Sequence, residues 1–521
     1  MKYIQGQNRE QISLFPISLE ATIDKENPVR VIDFFVDSLN LKDLGFKVDF
    51  GENGRPAYHP KDLLKLFIYG YLNRIRSSRA LEKECRRNIE LIWLMRKLVP
   101  DHNTISNFRR DNSDAIKKVF RATVNIAKNL NLIGGILLAG DGTKLRAQNS
   151  KKNNYNQKKI DRHLAYIENK LQEYVKELEK ADGDKKKEIL EKIDKHKEQK
   201  KKYQAIEKHL EETGEKQVST SDPESRHLII KGMITEVSYN IQATVDGKHC
   251  LPINFDTTNV NDRNAMTHMV EQAIEIVEKN SFDVLFDKGY HNAEQLHNVQ
   301  KMGVTTHVAI PNPSTNAPDK NFNVSEFIYN KSKDTYTCTA GQTLKTNGNW
   351  YKKKSYRVKQ YKTNHCKDCK LRSQCTTSKS KRIIERHEFA DALEKNKRNL
   401  KNNPEIYKKR QAIVEHPFGT IKRQWGFNYI ITKKTKQRAN ADVGFMFIAY
   451  LLKRIMNIIG IEKLIKYLGK LINRLFTYFL AKKKHFEPQK PILKTFMQFF
   501  KNSSMFQYFF ENINISRKLA L

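Results

Sequence analysis

Two short apolar runs in this chain each end in an aspartate: Ile136-Leu137-Leu138-Ala139-Gly140-Asp141 and Asp283-Val284-Leu285-Phe286-Asp287. Apolar runs this short, bounded by turn residues, read as buried strands. Each aspartate is therefore expected at the C-terminal end of a strand. Between the two runs the apolar residues alternate: Val237, Tyr239, Ile241, Ala243 and Val245, then Leu251, Ile253 and Phe255 beyond Asp246-Gly247. Period two on both sides of Asp-Gly predicts a hairpin closed by a type I′ turn. Met266, Met269, Val270, Ala273, Ile274 and Val277 recur at helical spacing, and a further helix is expected through Leu296. Residues 304–310 form a third strand pattern stopped by Pro311 and Pro313, and the chain turns helical again from Pro404, through Glu415.

Strand with acid, hairpin, helix, strand with acid, helix, strand, insertion, helix with acid: this is the element order of a ribonuclease H-like α/β fold. That fold sets the ends of its first and fourth strands side by side and lays a late helix against them. Asp141, Asp287 and Glu415 stand at those three places. Taken singly each has an ordinary alternative. Asp141 could cap the Thr143-Lys144 turn, Asp287 could close a turn with Gly289, and Glu415 could be a solvated helix acid. Taken together, three converging carboxylates suit two Mg²⁺ (or Mn²⁺) ions. Such ions prefer hard oxygen ligands and can serve both oxygens of a phosphodiester exchange.

The rest of the chain divides around this core. Residues 1–130 read as an all-α domain. Leu63, Leu64, Phe67, Ile68 and Tyr71 are spaced for a helix, Ser77-Ser78 mark a turn, and Asn103 or Thr104 could cap a later helix. The arginines at 74, 76, 79, 86, 87, 109 and 110 fit either a DNA-binding face or the solvated side of a plain bundle. Residues 131–460 form the expected catalytic domain. It carries a charged helical insertion over 150–225, with its turn at Ala181-Asp182-Gly183-Asp184, and a β-rich insertion over 314–385. The latter holds Cys338, Cys366, Cys369 and Cys375, spaced C-x27-C-x2-C-x5-C. Four thiolates at that spacing could close a structural Zn²⁺ site, or remain ordinary thiols. Residues 461–521 are expected to be helical, with Phe496, Phe499, Phe500, Phe506, Tyr508, Phe509 and Phe510 suited to docking on another surface.

Lys and Arg number 95 against 58 Asp and Glu, a formal charge of +37. A polyanion such as double-stranded DNA is the partner this implies, although an AT-rich coding sequence would also raise lysine. Apolar residues between Val443 and Ala481 are interrupted by Lys453, Arg454 and Lys463, so buried amphipathic helices are expected and no membrane span. Six cysteines and no apolar leader point to the reducing cytoplasm.

The motifs GRPAYHP (54–60), IRSSRALEKEC (75–85), PDHNTISNFRR (100–110), AGDGTKLRAQNSK (139–151), DPESR (222–226), YNIQATVD (239–246), FDKGYHN (286–292) and VEHPFGTIKRQWGF (414–427) follow one another in order. Through them the chain resembles the bacterial insertion-sequence transposases that carry an InsH-type helical domain before a DDE transposase domain. The resemblance implies metal-dependent cleavage and strand transfer of the element that encodes the protein. It also implies binding of terminal inverted repeats and target DNA, action as a dimer or larger assembly at the nucleoid, and Asp141, Asp287 and Glu415 as the catalytic triad. Tyr407, Arg410, Glu415 and Lys422 resemble the Tyr-Arg-Glu-Lys signature of related transposases, with Arg410 five residues before the glutamate where the signature has four. Lys144, Arg146, Lys422 and Arg423 are the further candidates for gripping DNA. A metal-dependent nuclease without strand transfer, or a DNA-binding relic, would share most of these features.

Overall fold

The computed structural model describes residues 18–48, 56–231, 233–312, 317–378 and 381–483, with side chains to 475. The expected C-terminal aromatics from Phe496 to Phe510 lie outside the described residues. The chain separates into two compact units. One comprises Met1–Leu132, Leu145–Tyr239 and Gly419–Leu521, and the other Ile133–Lys144 and Asn240–Phe418.

In chain order the helices are α1 (Pro28–Asp37), α2 (Pro60–Leu72), α3 (Ser78–Arg87), α4 (Ile89–Leu94), α5 (His102–Asp111), α6 (Ser113–Asn129), α7 (Gln157–Leu178), α8 (Asp184–Thr213), α9 (Met266–Val277), α10 (Ala293–Lys301), α11 (Arg372–Cys375), α12 (Ala390–Asn402), α13 (Pro404–Gly419), α14 (Lys436–Ile459) and α15 (Ile461–Lys483). The strands are β1 (Leu137–Arg146), β2 (Asn154–Tyr155), β3 (Val218–Ser219), β4 (Arg226–Lys231), β5 (Ile234–Asp246), β6 (Leu251–Thr258), β7 (Asp283–Phe286), β8 (Thr305–Val308), β9 (Ile328–Asn330), β10 (Thr335–Thr337), β11 (Thr343–Lys352), β12 (Arg357–Lys362) and β13 (Ile384–His387). The molecule is thus mixed α/β with a helical N-terminal region.

In the first unit, α2 presents Leu64, Phe67, Ile68 and Tyr71 to a core that α14 completes. Phe445 stacks on Phe67 at 4.9 Å between ring centroids and tilts against Tyr71 at 5.2 Å. α14 is buried without interruption from Ala441 to Leu452, as a helix surrounded by others must be. Among the described residues no single helix is long and apolar enough to cross a membrane. The pair α14 and α15 passes that test only together, across a 113° bend. The cap of α5 is Asp101, whose carboxylate accepts from Asn103 N at 2.9 Å and Thr104 N at 3.1 Å. The expected caps, Asn103 and Thr104, are therefore the capped residues.

Five of the arginines that fit either a DNA-binding face or a solvated side divide into two groups. Arg76 and Arg109 are buried, 6% and 5% exposed. Arg76 pairs with the fully buried Asp442 at 3.4 Å and donates to Tyr429 O at 2.9 Å. Arg109 donates to the Tyr71 hydroxyl at 3.0 Å and to Arg76 O at 3.1 Å. Tyr71 in turn donates to Asp442. Their motifs therefore owe these two arginines to an interior network. Arg86, Arg87 and Arg110 are surface ion pairs with Glu82, Glu84 and Asp111.

α7 and α8 run antiparallel, as the pairs His163–Tyr203 (4.8 Å) and Tyr174–His196 (5.6 Å) require. The link between them reverses at Gly183, whose φ of +58° suits glycine. Tyr155, Ile160, Leu210 and Val218 close the base of this arm beside the β2–β3 ribbon.

The second unit is built on strands in the order β6-β5-β1-β7-β8; β4 and the half of β5 that it pairs with, from Ile234 to Ser238, belong to the first unit. β1, β7 and β8 are parallel, and β5 and β6 antiparallel. The β5–β6 connection is four residues, Gly247 to Cys250, because Asp246 pairs with Leu251. The left-handed position is Cys250 at φ +56°, so the expected two-residue type I′ turn is replaced by a longer loop. A separate antiparallel sheet, β13-β12-β11-β10-β9, holds the cysteine region.

Candidate active site

β1 does not stop at Asp141. It pairs with β7 through Leu137, Leu138 and Ala139 and then runs on to Arg146. Asp141 therefore sits mid-strand, just past the last parallel pair, and not at a strand end as its sequence suggests. Asp287 follows the last residue of β7. Its Oδ1 accepts from Gly289 N at 2.8 Å and caps the one-turn 3₁₀ helix Lys288–Tyr290. Two carboxylates on neighbouring parallel strands are thus brought within electrostatic reach of each other.

α13 lies across this sheet. Ile413 and Val414 pack on Ala139, Val245 and Leu285, and the Tyr407 hydroxyl donates to Phe286 O at 3.3 Å. On the same helix, Arg410 Nη1 reaches Asp141 Oδ2 at 3.3 Å, while Asp141 Oδ1 accepts from Gly142 N at 2.8 Å. Burial pushes the Asp141 carboxyl up to about 6. Arg410 and the Gly142 amide oppose that rise, and Asp287 and Asp262 add to it. Burial likewise raises the Tyr407 hydroxyl, against the pull of Arg410.

Glu415 is exposed on α13, five residues past Arg410, about 7.5 Å further along the axis. Its carboxylate accepts from Gln411 Nε2 at 2.8 Å. Among the described residues no three His, Cys, Asp or Glu side chains are gathered closely enough to hold a metal ion. The structure therefore brings Asp141, Asp287, Arg410 and Tyr407 together and leaves Glu415 about a turn and a half along α13 from Arg410, facing solvent.

The other candidates scatter. Lys144 is ion-paired to Asp262 at 2.9 Å and mostly covered. Arg146 is exposed, its backbone bridged to Asn428 and Ile430. Lys422 and Arg423 fall in the π-helical turn Thr420–Gln424, with Arg423 exposed.

Asp262 is a residue the sequence reading missed. It follows β6 in a one-turn 3₁₀ helix. Its Oδ1 accepts from Asn240 Nδ2 and Gln242 Nε2, both at 2.7 Å, and its Oδ2 from Lys144. Burial raises its carboxyl, but Lys144 and the two amides outweigh that and leave it below the usual carboxylate range. In the alternating pattern Asn240 and Gln242 fall on the face expected to be polar and solvated, and only their burial in the fold calls for a partner such as Asp262.

Cys338 and Cys375 pack against Phe327, Tyr336, Leu344, Tyr361 and Ile384. With Cys366, Cys369 and His365 they line one small cavity. Gln342 N donates to Cys338 Sγ at 3.3 Å. Burial raises the Cys375 thiol; Arg382 opposes this, and the other three cysteines of the group add to it.

Residues 17–111 match the family model described as a transposase domain (DUF772), and residues 337–456 match the transposase DDE domain. The second match takes in α13 with Glu415 and stops short of Asp141 and Asp287. No curated protein matches the chain. A solved structure, the piggyBac transposase synaptic complex with hairpin DNA, aligns over 89% of this chain and 86% of its own at 9% identity. The TM-score of that alignment is 0.29. Two transposase family models are thus met in order along one chain, and together they support a DDE-type insertion-sequence transposase.

Proposed function

We propose that the second unit is a ribonuclease H-like catalytic core that cuts the ends of its own element and joins them to target DNA, with Asp141, Asp287 and Glu415 as its carboxylates. The observation that carries this reading is the placement of Asp141 and Asp287 on adjacent parallel strands beneath α13. The strand order, with its antiparallel β5–β6 pair beside parallel β1, β7 and β8, supports the fold assignment.

The donor set fits divalent cations in kind: hard carboxylate oxygens, two of them on a rigid sheet. Glu415 completes the set by exchanging Gln411 for the bound ions. Two Mg²⁺ or Mn²⁺ ions held there would activate the attacking oxygen and stabilise the leaving one. Arg410 supplies positive charge at Asp141, and Tyr407 ties α13 to the end of β7. Lys422 and Arg423 are the candidates for meeting phosphate. The net charge of +37 supports a DNA partner whose affinity falls with salt. Terminal inverted repeats bound by a dimer or larger assembly are part of the same reading.

Purified protein with Mg²⁺ and DNA bearing the element's own ends should both nick and join. Cutting without joining would favour a nuclease on the same fold.

Cys338, Cys366, Cys369 and Cys375 line one cavity but are not gathered closely enough to hold an ion as they stand, so a structural Zn²⁺ held by all four would draw them together. Four thiolates make a closed site, which would brace a sheet with a small core of its own around Tyr336, Leu344 and Tyr361. Elemental analysis is expected to find about one zinc per chain, and the Cys366→Ser/Cys369→Ser protein to lack it. Zinc-free protein, with all four thiols open to titration and an unchanged melt, would end this assignment.

A further inference from the structure

Asp262 packs beside the turn that carries Asp287: a Cβ on Gly289 would lie 3.8 Å from the Asp262 Cβ. Along β1, Gly142 and Lys144 point to the face opposite Asp141, and on that face Asp262 gathers three donors from two strands. Lys144 comes from β1, and Asn240 and Gln242 from β5. Gln242 also accepts from the buried hydroxyl of Tyr290, which ends the turn begun by Asp287. One carboxylate therefore links the continuation of the strand bearing Asp141 to the turn bearing Asp287. The fit at Gly142 is close. A Cβ there would collide with the Asp262 carboxylate and come within 2.6 Å of Gln242 Nε2, so only glycine lets the strand lie on this network.

We propose that Asp262 is a positioning residue of the reaction centre, fixing the Asp141 strand and the Asp287 turn relative to each other through Lys144, Asn240, Gln242 and Tyr290. In this proposal Asp262 holds the Asp141 strand and the Asp287 turn through the three donors on its two oxygens, and it is not assigned as a ligand. The proposal rests on the reading of Asp141 and Asp287 as cation-holding acids.

The test measures Mn²⁺ binding by electron paramagnetic resonance on the full chain, beside thermal melting and DNA cleavage. Asp262→Ala alone takes the paired carboxylate from a mostly covered ammonium and is expected to melt early. The Lys144→Met/Asp262→Ala protein removes both charges and is expected to recover most of the melting temperature. It should still bind Mn²⁺ and cleave roughly 10–100-fold more weakly than wild type, the usual cost of losing an outer-shell support. Wild-type Mn²⁺ affinity and cleavage in the double variant would reduce Asp262 to a packing role and overturn the proposal. Mn²⁺ binding lost as completely as in Asp141→Ala would make Asp262 a ligand, and also overturn it. If Asp141→Ala itself binds Mn²⁺ like wild type, the underlying site reading fails, and the proposal with it.

Discussion

Glu415→Ala protein is expected to bind element-end DNA as wild type does and to cleave it about 1,000-fold more slowly or worse. Cleavage of a phosphodiester builds charge on the attacking and leaving oxygens. The cations that stabilise that charge contribute several kcal/mol, and about 4 kcal/mol corresponds to roughly three decades in rate. Glu415 is the cleanest of the three acids to test. It is exposed and its polar contact is Gln411, so alanine leaves no buried group unpaired and the melt should move by less than about 0.5 kcal/mol. Replacing Asp141 would instead leave the covered Arg410 facing an empty place, mixing stability with chemistry. Cleavage at the wild-type rate by Glu415→Ala would show that α13 supplies no ligand at this position. Gln411→Ala separates the two partners further: it frees Glu415 and should leave cleavage within a few fold of wild type.

Asp442→Ala is expected to destabilise the first unit by about 3–5 kcal/mol, the cost of removing one partner from a buried ion pair. Asp442 is fully buried and receives Arg76, the Tyr71 hydroxyl and Ile431 N, the last at 2.8 Å. Arg76 also lies 4.4 Å above the rings of both Phe427 and Tyr429, so it cannot swing out to water without undoing that packing. Burial holds the Tyr71 hydroxyl far above its ordinary range. Arg109 and Arg76 pull it down, and Asp442 pushes it up. A loss of this size corresponds to a fall in melting temperature on the order of 10 °C. Urea unfolding of wild type, Asp442→Ala and Asp442→Asn would measure it. A change below about 1 kcal/mol in Asp442→Ala would mean that the two arginines find other partners.

Local periodicity carried a good deal of this architecture. The alternation from Val237 to Phe255 became β5 and β6, the apolar runs before Asp141 and Asp287 became β1 and β7, and the charged segment after residue 150 became two long helices reversing at Gly183. These are short-range properties: side-chain period and turn residues act within a few positions, so a linear reading reaches them. The limits were just as local. Asp246-Gly247 looked like a two-residue turn, yet the loop closes at Cys250, because strand register is decided by the whole pair and not by one dipeptide.

Which charges face water and which face each other was decided only by the tertiary structure. Arg76 and Arg86 are indistinguishable in a basic motif, but one meets Asp442 across 366 residues and the other a glutamate four positions away. Lys144 read as a phosphate grip until the fold placed Asp262 beside it, 118 residues on. α14 lies more than 300 residues from α2, yet its Phe445 stacks in the same core. The sequence by itself determined the elements and named the acids to test. The fold determined the partners, because a buried charge is tolerable only where folding brings its counter-charge to it.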